Sequence, residues 1–223
     1  RDLHSFPTRR SSDLTLWFGI PVIEAMGMTE SASVVFCNPH DDRRRYGSPG
    51  LPCGVKAKVV SPEGVELGDN ETGELCLFGD NVMSGYYKSD AETAKAFDAQ
   101  GWLKTGDLGY RDSDGFYFVT GRLKELIIKG GENIAPREID EVLLKHPSVL
   151  DAACVGIPDP NYGQEILACI VLKEGSACTE EEIRGFSIER LGKYKTPKVF
   201  HFVADLPRGP SGKVQRLKLL DWV

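Results

Sequence analysis

No apolar run in this 223-residue sequence approaches the roughly 20 residues that a helix needs to cross a bilayer. The start, RDLHSFPTRRSSDL, lacks the apolar stretch of a signal peptide. A cytoplasmic or organelle-matrix protein without a transmembrane segment is the expectation. The six cysteines, at 37, 53, 76, 154, 169 and 178, include no C-x-x-C pair, which argues against a zinc knuckle or a disulfide framework. Cys76, Cys154 and Cys169 lie inside apolar runs and read as reduced, buried thiols. A basic excess is also missing: the net charge is −6, and residues 15–120 carry 9 basic against 16 acidic side chains. Nucleic acid is therefore excluded as a partner of that part. Internal repeats are absent too.

What is present is enough apolar residue, 41%, for one large or two small cores. The chain reads in three zones. Residues 1–14 are polar and aperiodic, resembling an adapter-like leader foreign to the fold. Residues 15–120 hold short strand-like runs, VKAKVV, GELCLFG and FYFVTG, punctuated by the turns SPEG and DSDG. One helix, Asp90 to Phe97 with Ser89 as its cap, interrupts them. This pattern predicts a small β-barrel-like part or a distorted sheet.

Residues 121–223 alternate helix and strand patterns. Pro136 opens a helix with Ile139, Val142 and Leu143 on one face, and Pro147 ends it. Strands follow at VLDAACVGI and EILACIVLK. Thr179 and Glu182 form a capping box for a helix to about Leu191, and KVFHFV is a third strand. The prediction is a compact α/β domain. Its segment 190–218 holds eight Lys or Arg against Asp205, a pattern open to two readings, a polyanion site or a solvated basic face.

Four stretches, in order, carry a family resemblance: MGMTE (26–30); GELCLFGDNVMSGYY (73–87) with GWLKTGD (101–107); GRLKELIIKGGENIAPREID (121–140); and LPRGPSGK (206–213). Together they resemble the adenylate-forming ligase superfamily, most of all its acyl-CoA synthetases. The resemblance implies an α/β (α+β) fold: the C-terminal end of a large AMP-binding domain over 15–120, then a small mobile domain over 121–223 with a hinge near Lys124. It implies an acid–thiol ligase that joins a fatty or other carboxylic acid to ATP, releases pyrophosphate, and passes the acyl group to coenzyme A.

The chemistry fits those residue types. A carboxylate approaching an α-phosphate needs a cation between two anions, and a lysine supplies a compact charge with three donors. By resemblance Lys213 is that catalytic lysine, with Gly209 and Gly212 making its loop mobile. Thr29 and Glu30, after Gly27 and Met28, resemble the nucleotide and Mg²⁺ contacts, Glu30 being the metal ligand. The family's usual adenine-stacking aromatic is replaced by Met26. Asp107 resembles the ribose-binding carboxylate, with Arg122 as its helper on sugar or phosphate. Gly130 and Gly131 would let a pantetheine arm run close to the backbone. Gly209 stands where the family often has Thr.

Nothing in the sequence matches the family's Ser/Thr/Gly-rich phosphate loop, so the resemblance implies a fragment, inactive alone. Two other readings are a domain that loads a carrier protein and a non-catalytic nucleotide or pantetheine-binding module.

Overall fold

The computed structural model describes residues 15–16, 18–210 and 212–222. The leader, 1–14, lies outside them. Among the described residues no helix is long and apolar enough to cross a membrane. The chain divides into two compact units between Leu123 and Lys124.

The first unit is built on two sheets. Strands β1 (Ala25–Gly27), β2 (Val34–Cys37) and β3 (Leu51–Pro52) form one; β4 (Lys56–Val60), β5 (Gly73–Phe78), β6 (Leu103–Arg111) and β7 (Tyr117–Arg122) form an antiparallel meander. Alternation along these strands sends Val35, Val59, Leu75, Leu77 and Leu103 into one core with Phe36 and Tyr117. The rings of Phe36 and Tyr117 lie 4.8 Å apart, and the Tyr117 hydroxyl donates to the Ala57 carbonyl at 2.7 Å.

Of the two forms expected from the sequence, a barrel-like part or a distorted sheet, the structure has an open sheet. Closure would require β4 to pair with β7. The outer edge of β7 is occupied at Tyr117, whose N–H donates to Gly50 O at 3.1 Å. The outer edge of β4 is covered by its own turn, through Leu67 N to Val59 O at 2.9 Å. Gly50 permits that contact: its φ is +106°, and a Cβ there would lie 2.1 Å from the Cys37 backbone. Helix α1 spans Asp90–Ala96, and the Ser89 side chain does not cap it. The Ser89 carbonyl accepts the first helical hydrogen bond, from Thr93 N at 3.0 Å, and a second from Thr93 Oγ1 at 2.9 Å.

The second unit is a sheet between two apolar layers. A long antiparallel hairpin, β10 (Val149–Asp159) and β11 (Gly163–Leu172), is its centre. Strand β12 (Val199–Phe202) runs parallel to β11, while β8 (Ile127–Lys129), paired with β9 (Glu132–Ile134), meets β11 at Gly163. Residues of even number on β10 and β11, among them Cys154, Ile166 and Ile170, pack with Ile139 and Leu143 of α2 (Pro136–Leu143) and Ile183 of α3 (Glu180–Lys195). Ala153, Val155, Leu167 and Cys169 point the other way, onto Leu206 and Leu219. The Thr179–Glu182 capping box is formed, with Thr179 N donating to Glu182 Oε2 at 2.8 Å and Glu182 N to Thr179 Oγ1 at 3.2 Å. Gly192, with φ +72°, breaks α3 just past the expected end.

Candidate active-site elements

Gly27 ends β1 where a side chain has no room: a Cβ would lie 2.9 Å from Ser33 O. Met28 is extended, and Thr29–Ser31 form a 3-10 turn. Ser31 is buried, its hydroxyl 3.0 Å from the carbonyls of Met28 and Ser33, while Thr29 is exposed. The turn is tied down by Met83 N, which donates to Glu30 O at 2.7 Å. Tyr86 Oη donates to Glu30 Oε1 at 3.0 Å. Burial, and then this hydrogen bond, raise the Tyr86 hydroxyl above its ordinary pKa. Glu30 is thus a carboxylate oriented through one oxygen, its other oxygen having no partner among the described residues, beside an exposed hydroxyl. Such a pair fits a Mg²⁺ that takes its remaining ligands from phosphate and water. Among the described residues no three His, Cys, Asp or Glu converge as a protein-only metal cage. Met26, in place of the aromatic, packs on the core.

Asp107 and Arg122 are cross-strand neighbours on β6 and β7. Arg122 Nε meets Asp107 Oδ1 at 3.0 Å, with the carboxylate side chain 11% and the guanidinium 49% exposed. The approach to Asp107 is fixed from β5: Thr105 Oγ1 donates to Leu75 O at 2.8 Å and accepts from Asp107 N at 3.0 Å. Gly106 N donates to Glu74 Oε1 at 2.9 Å, and its φ of +72° explains the glycine. A carboxylate aimed by a cation and a guanidinium left half in solvent can together bind a diol and an anion. The Thr29–Glu30 turn and the Asp107–Arg122 pair stand on different sheets of the same unit.

In the second unit, Gly130 and Gly131 form the two-residue turn between Lys129 and Glu132, with φ +55° and +87°. Both residues need positive φ in such a turn, which glycine adopts without strain. Beneath it lies a buried group that the local sequence did not announce. Lys129 Nζ meets Glu165 Oε2 at 2.9 Å and donates to Tyr194 O at 2.8 Å, under the rings of Tyr162 and Tyr194. The Tyr194 hydroxyl donates to Lys129 O, and Gly130 N to Tyr162 O at 2.8 Å. The exposed glycine turn is therefore held from below.

Lys213 sits on a second hairpin. Gly209 N donates to Lys213 O at 2.9 Å, Gly212 N to Gly209 O at 2.9 Å, and Arg208 bridges Val214. Leu206 before the hairpin and Leu219 after it are buried in one apolar layer. The basic segment around it is largely neutralised. Arg190 pairs with Glu189, Lys195 with Glu138, Lys198 with Asp159, Arg208 with Asp151, and Arg216 with Glu125 and Asp140. Lys213 is exposed and, among the described residues, has no carboxylate partner. Lys124 is also exposed, in the 3-10 turn Leu123–Glu125.

The two hairpins lie at opposite ends of β10–β11. Arg208 reaches Asp151 near the start of β10, whereas Gly130 is bound to Tyr162, beyond its end. At about 3.3 Å per residue, roughly 26 Å of strand separates Asp151 from Asp159.

Residues 8–87 match the family profile of the AMP-binding enzymes, and residues 138–213 that of the AMP-binding enzyme C-terminal domain. The chain is 59% identical to sulfoacetate–CoA ligase of Cupriavidus necator, over 92% of this chain and 40% of that protein. It is 42% identical to oxalate–CoA ligase of Arabidopsis thaliana, over 89% and 39%. The crystal structure of ATP-bound MatB from Rhodopseudomonas palustris superposes with a TM-score of 0.91 at 34% identity, covering 95% of this chain and 42% of that one. The chain thus spans about two fifths of the length of the relatives it matches. With both profiles matched in order and the fold shared, the chain belongs to the AMP-binding enzymes.

Proposed function

We propose that this chain is part of an AMP-forming acid–thiol ligase, which uses ATP and coenzyme A to make an acyl thioester through an acyl-adenylate. The observation that carries the reading is the pair of hairpins at opposite ends of one rigid β-hairpin. One bears a solvent-facing lysine, the other a side-chain-free turn. In the first half-reaction the substrate carboxylate attacks the α-phosphorus and pyrophosphate leaves; Lys213 offsets the charge that accumulates there. Asp107 and Arg122 hold the ribose and its phosphate. Thr29 and Glu30, the latter oriented by Tyr86, hold the Mg²⁺, which when bound neutralises phosphate charge. In the second half-reaction the thiol attacks the acyl carbon and AMP leaves, with Gly130 and Gly131 lining the path of the pantetheine arm. Lys124 is the hinge between the end of the large AMP-binding domain and the small mobile one.

The likeness to sulfoacetate and oxalate ligases favours a short polar acid over a fatty acid. A cytoplasmic or matrix location suits these soluble substrates. The test is pyrophosphate exchange into ATP by the longest natural protein that carries this sequence, with sulfoacetate, oxalate and a long-chain fatty acid in turn. Exchange with a short acid, followed by thioester formation with coenzyme A, is expected. AMP binding without exchange on any acid would leave a nucleotide-binding module as the function.

A further inference from the structure

Arg216 opens the C-terminal 3-10 turn, Arg216–Trp222, three residues after Lys213. Its side chain is only 13% exposed, and all of its fork is used. Nε meets Glu125 Oε2 at 3.2 Å, Nη2 meets Asp140 Oδ2 at 2.7 Å, and Nη1 donates to Cys154 O at 2.6 Å. Asp140 Oδ1 closes the group by accepting from Cys154 N at 2.7 Å. One guanidinium therefore joins the segment at the boundary of the two units, helix α2 and the centre of β10. On its other side a ladder leads to Lys213: Gln215 N donates to Pro207 O at 2.7 Å, Arg208 bridges Val214, and Gly209 N donates to Lys213 O at 2.9 Å.

Burying a five-donor cation is costly unless every donor finds a partner, and a lysine could not span these three acceptors. Packing Leu219 alone would need no such group. We propose that Arg216 is a positioning residue: through Glu125 and Asp140 it ties the Lys213 hairpin to the hinge segment, so that Lys213 is presented at a fixed distance from the point at which the chain passes between units. This inference rests on the ligase reading above. It predicts a selective effect on the half-reaction that uses Lys213.

The discriminating variant is Glu125→Gln, because Glu125 is partly exposed and its loss leaves the buried Arg216–Asp140 pair intact. In the longest natural protein carrying this sequence, acid-dependent pyrophosphate exchange is expected to fall about tenfold, since small misplacements of a catalytic group have such effects. Transfer from preformed acyl-adenylate to coenzyme A is expected to stay within about twofold of the unaltered protein, as Gly130 and Gly131 lie at the other end of β10–β11. Amide hydrogen exchange at Gly209, Gly212 and Gln215 should quicken. Arg216→Lys should act more strongly, since it also loses the contacts to Asp140 and Cys154, and adding Glu125→Gln to it should cost nothing further, because the Glu125 contact is already gone. Unchanged amide exchange in both variants would overturn the inference, as would an equal fall of both half-reactions in step with melting temperature. If the unaltered protein shows no pyrophosphate exchange, the ligase reading fails, and the amide exchange still decides whether Arg216 holds the hairpin.

Discussion

Lys213 and Arg216, three residues apart, have opposite surroundings: one cation faces water, the other is enclosed by partners. Replacing Lys213 by Ala should lower acid-dependent pyrophosphate exchange by about 100-fold or more, the usual effect of removing a group that stabilises developing charge. Transfer from preformed acyl-adenylate should be largely retained, and equal loss of both steps would refute the assignment. Tyr86→Phe removes the hydroxyl that orients Glu30, so the KM for MgATP should rise about tenfold, a usual effect of losing a group behind a metal ligand, with little change in thermal stability. Cysteine behaviour is also set residue by residue. Burial pushes the Cys76 thiol up to about 12 and Cys169 to about 11, and both should resist alkylation in the native protein, whereas exposed Cys53 should react. At this scale the sequence displays a contiguous motif, such as MGMTE or PSGK, directly. It was silent on Tyr86 behind Glu30 and on Arg216 with Asp140, because partners 56 and 76 positions apart leave no local spacing to read.

Among elements, the β8–β9 turn gives a graded test. Gly130→Ala forces a positive φ and brings a Cβ within 2.9 Å of the Tyr194 hydroxyl, so a loss of about 1–3 kcal/mol is expected in urea unfolding. Gly131→Ala meets no atom within 4 Å and should lose less, only the φ strain of about 1 kcal/mol. The β10–β11 turn has its own pH response. The hydrogen bond from Lys198, and then those from the Asn161 and Tyr162 N–H groups, hold the Asp159 carboxyl at about 2 instead of near 3.8. A depressed pKa stabilises the fold above the unfolded value, and that contribution is lost as pH falls from about 4 through about 2. Asp159→Asn should therefore lower stability at neutral pH and flatten its acid slope in that window. The capping box at Thr179 was readable because both partners lie within one turn of helix. The open sheet was not, since a run of short strands and turns does not say which edge pairs with which, and here Gly50 takes the edge that a barrel would close. Ser89 stands at the N-cap position that the sequence assigned to it, but its side chain makes no capping hydrogen bond.

For the whole molecule, one core lies before the Leu123–Lys124 boundary, and two apolar layers about a single sheet lie after it. Residues 124–223, produced alone, should unfold in one cooperative transition with retained helix and strand signals in circular dichroism, since about 100 residues packed on both faces of one sheet suffice for a domain. The superfamily was legible because its four motifs occur in order along the chain; the choice of acid was not, since none of those motifs specifies it. The long hairpin has a kinetic consequence under the proposed function. A stiff body with its lysine at one end and its glycine turn at the other cannot present both to a single bound acyl-adenylate. Pyrophosphate must then depart before the thiol is engaged, and steady-state velocities should follow a ping-pong pattern between ATP and coenzyme A.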